Sequence, residues 1–318
     1  MVKYSFVLPA YKSRFFKDAI ESILNQTYSN FELIIINDAS PEDLDSLVCN
    51  YSDQRIRYYK NEKNIGGNDL VAQWNKCLSY AKGDYVILAS DDDLYSLDFL
   101  ERMDTLIEKY PKVNVFRPRV KRIDQNGNIQ HIDGYTSEYL SKVEYLYLWT
   151  SCLIGSGIPF FILKREALLA IGGFVNYPLA WFSDDATIFK LADEGVVVCN
   201  KTLFAFRQSG DNISSFQNTK ASLAAKYKST KMFYEDFLSF INHYQPQNEV
   251  DEYLLPFVKE LFPLLINKSK IRSQLKTSSL SAILGTIGYA VKLGFPFLLI
   301  LKCCKYPIIK GFKKFLRL

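Results

Sequence analysis

Histidine is nearly absent from this chain, with two residues in 318, and its six cysteines, Cys49, Cys77, Cys152, Cys199, Cys303 and Cys304, show no ligand spacing apart from one adjacent pair. A zinc site made of Cys and His is therefore not expected, and cysteines scattered in this way fit a reducing, cytosolic compartment. Internal repeats and low-complexity segments are also missing. The apolar run from Tyr4 to Ala10 is too short and too quickly followed by charge for a signal peptide, so a first strand is expected there. Acidic residues disappear from Leu261 onward, where eleven Lys/Arg stand without one Asp or Glu, leaving 28 basic against 34 acidic residues before that point. The net charge of +5 thus joins an acidic body to a basic tail.

What is present describes a folded, enzyme-sized protein. With 48% hydrophobic and 15% aromatic residues the chain can bury one large core or two modest ones, which excludes disorder as a global description. The first hundred residues alternate strand and helix. Strands are expected at Tyr4–Leu8, Phe31–Ile36, Arg55–Tyr59 (an edge) and Tyr85–Ser90, with helices at 15–24, 43–49 and 70–81 between them. That order implies an α/β fold with a parallel sheet and right-handed crossovers, and ligands in such sheets bind beyond the carboxyl ends of the strands. Further on, strands are expected at 113–120, 158–163 and 196–199 and a hairpin turn at Asp124–Asn128. Helices are expected at 166–171, stopped by Gly172-Gly173, at 184–193, at 220–242, and at 250–266, the last broken by Pro256 and Pro263.

The residues with the most chemistry are Asp91, Asp92 and Asp93, adjacent carboxylates at the mouth of the buried run Tyr85–Ser90. Like charges packed so closely repel unless a cation or ligand gathers them, and a solvated Asp-rich turn is the plain alternative. Asp38 and Pro9-Ala10-Tyr11 lie at neighbouring strand ends, so three strand ends can converge on one crevice.

Several segments, in order and with fitting spacing, resemble family 2 glycosyltransferases over roughly residues 3–215. They are Phe6–Tyr11, Gln26–Ser40, Asn64-Ile65-Gly66 with Asn75, Gly83–Asp93, Gly172-Gly173-Phe174 and Ser183-Asp184-Asp185. The resemblance implies a GT-A-like, Rossmann-type, mostly parallel sheet flanked by helices, and inverting, metal-dependent transfer of a sugar from a nucleotide diphosphate, with a UDP-linked donor expected. Mn²⁺ or Mg²⁺ would suit carboxylates and balance the charge of the leaving diphosphate. The resemblance gives the metal and ribose roles to two of Asp91, Asp92 and Asp93 and, with Ser90 at the first carboxylate position, leaves open which two; Asp93 and Asp91 are expected at the metal, with Asp91 and Asp92 toward the nucleotide sugar. Asp38 matches the acceptor of the base or ribose, Pro9, Ala10 and Tyr11 shape the base pocket, and Asn64, Gly66 and Asn75 lie near the diphosphate, with Arg207 approaching it. Asp184 matches the general base, and Asp185 is the alternative.

The chain departs from the family pattern at Asn37, Ser90 and Ser183, where carboxylates are common, and at Ser209, where a histidine is. No Gln-x-x-Arg-Trp motif of processive synthases occurs, so single-sugar addition is expected. The tail from Leu280 to Leu301 is apolar but interrupted by Lys292 and Pro296, and basic and aromatic residues follow it. That composition suits an anionic membrane surface, on the cytoplasmic face, more than nucleic acid.

The expected organisation is a catalytic domain over 1–215, a helical extension over 216–270 and a membrane-associating tail over 271–318. The expected function is single-sugar transfer to a glycan or lipid-linked acceptor in surface polysaccharide or envelope assembly. A non-catalytic membrane-peripheral nucleotide-sugar binder would not need Asp184. A sugar nucleotidyltransferase would need a basic glycine-rich loop near Ala10, which is missing.

Overall fold

The computed structural model describes residues 2–210 and 220–275. Asp211–Ser214 and the tail beyond 275 lie outside the described residues. The N-terminal half alternates as its apolar pattern requires: β1 (Tyr4–Ala10), α1 (Phe16–Leu24), β2 (Phe31–Asn37), α2 (Leu44–Cys49), β3 (Ile56–Lys60), α3 (Leu70–Tyr80) and β4 (Tyr85–Leu88). There follow β5 (Leu94–Tyr95), α4 (Phe99–Lys109), β6 (Val115–Asp124), β7 (Ile129–Ile132), β8 (Tyr139–Leu140) and α5 (Lys142–Thr150). Next come β9 (Ile162–Lys164), α6 (Arg165–Ala170), α7 (Ser183–Leu191), β10 (Val196–Gln208), α8 (Lys220–His243) and α9 (Glu249–Leu275).

One sheet runs in the order β3-β2-β1-β4-β9-β6-β10-β5, with β7 beside β6 and β8 beside β10. β3, β2, β1 and β4 are mutually parallel, as are β6 and β10, while the short β9 stitches the two parallel groups together in antiparallel fashion. β1 and β2 are buried almost throughout because helices cover both faces, which is why they read as continuous apolar runs. α1 buries Phe16, Ala19, Ile20 and Ile23, the stripe its spacing predicts.

The structure corrects the sequence reading in four places. α4 and α5 were not foreseen, although α4 buries Phe99, Leu100, Met103, Leu106 and Ile107 at helical spacing. The strand expected at 158–163 is a turn of 3₁₀ helix at Ile158–Phe160, started by Pro159, followed by the three-residue β9. The strand expected at 196–199 continues to Gln208 through register shifts around Thr202. Pro256 and Pro263 do not break α9, whose packing outweighs the ~3 kcal/mol cost of an interior proline. Leu255, Val258 and Phe262 are buried, and Phe262 stacks on Phe237 at 3.4 Å between ring centroids.

The helical extension shares its apolar contacts with the rest of the molecule. Trp149 of α5 meets Phe233 and Phe262, and Phe189 of α7 meets Phe233, Phe237 and Phe240. Buried Asp251 accepts hydrogen bonds from the Ser141 hydroxyl that caps α5 and from the Tyr244 hydroxyl at 2.6 Å.

Candidate active site

The carboxyl ends of β1, β2 and β4 meet through hydrogen bonds. Asp91 Oδ2 accepts from the Tyr11 and Lys12 amides at 3.0 and 2.9 Å, tying the loop after β4 to the end of β1. The Ser40 hydroxyl donates to the Tyr11 carbonyl at 2.6 Å, and the Asp38 amide donates to the Ala10 carbonyl at 2.9 Å, tying the end of β2 to the same place. Pro9 lies in β1 opposite Ile36 of β2, and Tyr11, beside the acidic loop, is 40% exposed.

Asp38 is buried and grips the next loop. Its Oδ1 accepts from Asn61 Nδ2 at 2.7 Å and the Ile65 amide at 2.8 Å, and its Oδ2 accepts from the Gly66 amide at 2.7 Å. A Cβ on Gly66 would stand 2.9 Å from Asp38 Oδ2, so only glycine allows this approach. Asn64 Oδ1 closes the turn by accepting from the Gly67 amide at 2.5 Å, and Asp69 caps α3 by accepting from the Ala72 amide at 2.9 Å.

In the acidic loop the three carboxylates differ. Asp93 is buried, and its oxygens accept from the Arg207 amide at 2.8 Å and from the Ser90 hydroxyl. Asp92 meets the Ser209 hydroxyl at 3.3 Å, and its carbonyl accepts from Arg207 Nε at 2.9 Å. Burial pushes all three carboxyls up, with Asp91 adding to the effect on Asp92 and Asp92 adding to that on Asp93. Each Asp93 oxygen accepts one hydrogen bond inside the protein, where β10 passes behind it, and keeps a lone pair that a cation can use. Arg207 is likewise buried, 4.2 Å over the Phe15 ring and bracing the acidic loop.

Among the described residues no three His, Cys, Asp or Glu side chains gather as a closed metal-binding set. The donor set nevertheless fits a hard divalent cation, since crowded, buried carboxyls are relieved by positive charge. Mg²⁺ typically takes one or two protein carboxylates and draws its remaining ligands from substrate phosphates and water.

The second half of the site is the start of α7. Asn75, expected near the diphosphate, has both ends of its carboxamide on the Phe174 backbone. The Val175 amide donates to Thr187 Oγ1 at 2.9 Å, the Tyr177 amide to Ser183 Oγ at 3.1 Å, and Asn176 Nδ2 to Asp69 Oδ2 at 2.9 Å. These bonds fix α7 against the N-terminus of α3. Leu179, Ala180 and Phe182 all adopt left-handed backbone conformations immediately before the helix, a concentration of strain typical of functional loops.

Asp184 and Asp185 follow directly, with Asp184 Oδ1 accepting from the Asp185 amide at 2.9 Å. Burial raises the Asp184 carboxyl, and burial together with Asp184 raises that of Asp185 well above the usual range. Sequence reasoning missed Ser156, a neighbour of Asp185 that comes from the 151–157 loop with no motif to mark it.

Comparison with known proteins agrees with this geometry. An uncharacterized glycosyltransferase of Methanocaldococcus jannaschii is 33% identical over 119 residues, covering 36% of this chain and 40% of that protein. One from Haemophilus influenzae is 28% identical over 191 residues, covering 60% of this chain and 62% of that one. The chain thus matches less than two thirds of the length of these relatives. The solved structure of Staphylococcus aureus TarS residues 1–349 in complex with UDP-GlcNAc covers 93% of both chains with a TM-score of 0.57 at 13% identity. Its complex with UDP gives 0.51 at 15% identity, over 85% of this chain and 83% of that one. At such identities the likeness is one of fold. The profile of glycosyl transferase family 2 matches residues 5–172, more than half of the sequence, and the chain belongs to that family.

Proposed function

We propose that this protein transfers one sugar from a UDP-linked donor to a hydroxyl of a glycan or lipid-linked acceptor, with inversion, in surface polysaccharide or envelope glycan assembly. The observation that carries this reading is the hydrogen-bonded convergence of Tyr11, Asp38 and Asp91–Asp93 at three parallel strand ends, the place where such sheets bind nucleotides. The exposed Tyr11 would stack on the base. The loop gripped by Asp38 presents Asn64 and Gly66 at the donor crevice. TarS, which shares the fold, is known in complexes with UDP-GlcNAc and UDP, and this supports the choice of donor class.

In the proposed reaction Asp184 accepts the proton of the acceptor hydroxyl as that oxygen attacks the anomeric carbon, while the bond from that carbon to the diphosphate oxygen breaks on the opposite side. A carboxyl raised by burial is the stronger base, and the Asp185 amide holds it in orientation. Asp91 and Asp92 would hold Mn²⁺ or Mg²⁺, which supplies positive charge to the leaving diphosphate. Asp93 and Arg207 hold the acidic loop to β10, and Asn75 positions α7.

No helix among the described residues is long and apolar enough to cross a membrane. The proposed attachment to the cytoplasmic face of an anionic membrane rests on the composition of the tail.

Thermal shift with UDP and a panel of UDP-hexoses, with Mn²⁺ or with chelator, tests the reading. Stabilisation that requires the cation supports it. Stabilisation by no nucleotide under either condition refutes it.

A further inference from the structure

Arg122 of β6 is half-buried and has no hydrogen-bond, ion-pair or ring partner among the described residues. The other arginines of that strand are engaged. Arg117 pairs with Asp133 and donates to the Gly155 carbonyl at 2.7 Å, while Arg119 donates to the Asp133 carbonyl at 2.6 Å and lies 3.9 Å from the centre of the Tyr135 ring. Neighbouring carboxylates are engaged too. Asp133 is held by Arg117 and by the Gly155 amide at 3.1 Å, and Asp124 by the Asn126 and Asn128 amides of its own turn at 2.8 and 2.9 Å. A guanidinium drawn partly out of water with no anion to meet it costs free energy, so this position favours an anionic ligand.

Its place in the site is defined on two sides. A Cβ on Gly155 would come 2.8 Å from Arg122 Nη2, so the guanidinium lies against that backbone, and Ser156, the next residue, neighbours Asp185. On the other side Arg122 stands opposite Phe206 of β10, and the residue after Phe206, Arg207, gives its amide to Asp93 at 2.8 Å. β6 thus lies between β10, which braces the acidic loop, and β9, which follows the loop that meets the start of α7. In the proposed reaction the leaving diphosphate belongs to the first side and the attacking hydroxyl to the second, toward which Nη2 lies.

We infer that Arg122 binds an anionic group, a phosphodiester or a carboxylate, carried by the acceptor beside the hydroxyl that receives the sugar. This rests on the glycosyl-transfer reading above and narrows the acceptor to an acidic glycan or a polyol phosphate. The planar fork of a guanidinium matches two oxygens of either group, which fixes an orientation as well as supplying charge. Acids at the start of α7 would otherwise repel such an acceptor, and a cation with no protein partner beside them offsets that repulsion. Gly155 leaves the room in which the guanidinium sits.

The test uses the full chain with saturating UDP and Mn²⁺, which occupy the donor side. Calorimetry and saturation-transfer NMR compare a glycerol phosphate trimer and trigalacturonate with neutral maltotriose. At least one anionic probe should bind tenfold or more tighter than maltotriose, and the tighter of the two tells phosphodiester from carboxylate. Arg122→Gln should abolish this preference while leaving UDP affinity within twofold and the melting temperature within about two degrees. Gly155→Ala keeps the charge but displaces the guanidinium, and should reduce the preference at least threefold. Lys121→Gln removes an adjacent charge and should leave it within twofold. No preference in the unsubstituted protein, or one that survives Arg122→Gln, overturns the inference. So does an equal loss in Lys121→Gln, which would mean general charge attraction, and so does a drop of several degrees in the melting of Arg122→Gln, which would mean a structural role. A tenfold loss of UDP affinity in Arg122→Gln would give the guanidinium to the donor diphosphate and also overturns it. If the unsubstituted protein binds no UDP, the glycosyl-transfer reading fails and the acceptor assignment falls with it. If it binds UDP and shows no preference for the anionic probes, only the inference fails.

Discussion

The Asn75 carboxamide clasps the backbone of Phe174, donating to its carbonyl at 3.1 Å and accepting from its amide at 2.8 Å across 99 positions of sequence. Gly173 makes the clasp possible. At φ +91° it would place a Cβ 2.3 Å from Asn75 Oδ1, so any side chain there both strains the backbone and expels the carboxamide. Because Val175 and Tyr177 then bond to Thr187 and Ser183, the clasp sits at the root of the helix that carries Asp184.

Asn75→Ala should therefore lower unfolding free energy by about 1–3 kcal/mol, the range for leaving buried backbone groups unpaired. Urea unfolding measures this, and Gly173→Ala should cost at least as much. A loss below about 0.5 kcal/mol for Asn75→Ala would mean that solvent replaces the clasp and that Asn75 is available for the diphosphate.

Removing the Asp38 carboxylate should release the loop it holds. Asp38→Ala takes away the partners of the Ile65 and Gly66 amides and of Asn61. Hydrogen exchange at residues 65 and 66 should quicken at least tenfold, and UDP affinity should fall even with Mn²⁺ present. Unchanged exchange at both amides would show that the loop is fixed by Asn64 and Asp69 instead.

The acidic loop gives a pH dependence with a definite sign. Asp91, Asp92 and Asp93 are all raised by burial, so the folded protein holds their protons more tightly than the unfolded chain does. Their contribution to stability is complete below the unfolded carboxyl value and is lost as pH rises through the folded ones. The ligand-free protein should melt higher in mildly acidic buffer than at pH near 8, until carboxyls held low by partners, such as Asp53 beside Arg55, are protonated and reverse the trend. Asp93→Asn keeps the shape, removes one buried charge, and should flatten the profile while raising melting at the alkaline end. A profile that keeps its slope in Asp93→Asn would assign the effect to other groups.

The parallel half of the sheet was legible because strands covered on both faces are continuous apolar runs punctuated by turns. The convergence of Tyr11, Asp38 and Asp91–Asp93 was legible for the same reason, since they lie at the ends of those runs. α5 was hidden because its buried set, Val143, Tyr145, Leu146 and Trp149, mixes with half-buried Tyr147 and Leu148, so that no polar face marks a period. α9 was cut short because local rules count prolines as breaks, whereas Asp251, Val258 and Phe262 anchor it by tertiary contacts. The roles of Asp93 and Asn75 could not be separated from ligand binding in the sequence, because their partners, Arg207 and Phe174, are about a hundred positions away. Ser156 carries no sequence signal. Its place follows from the buried Arg117–Asp133 pair.

The tail makes a separate prediction. Truncation after Lys276 leaves every described element in place, since α9 is described to Leu275. The shortened protein should remain folded and lose cosedimentation with anionic vesicles, because basic residues near such a surface contribute about 1 kcal/mol each. Full-length protein released completely by salt is adsorbed by charge alone. Full-length protein that never sediments is not a membrane protein in this sense, and the tail then packs elsewhere.

Asp184→Asn is the sharpest test of the chemistry. The substitution keeps the volume and the acceptor for the Asp185 amide, so the fold and donor affinity should stay within a few-fold of the original. Transfer should fall by about 10²–10⁴, the contribution of a general base, because an amide cannot take the proton of the incoming hydroxyl. Asp185→Asn should act differently, leaving the proton transfer to Asp184 and most of kcat intact. Should the pattern be reversed, with Asp184→Asn turning over normally and Asp185→Asn inactive at saturating substrate, Asp185 is the base.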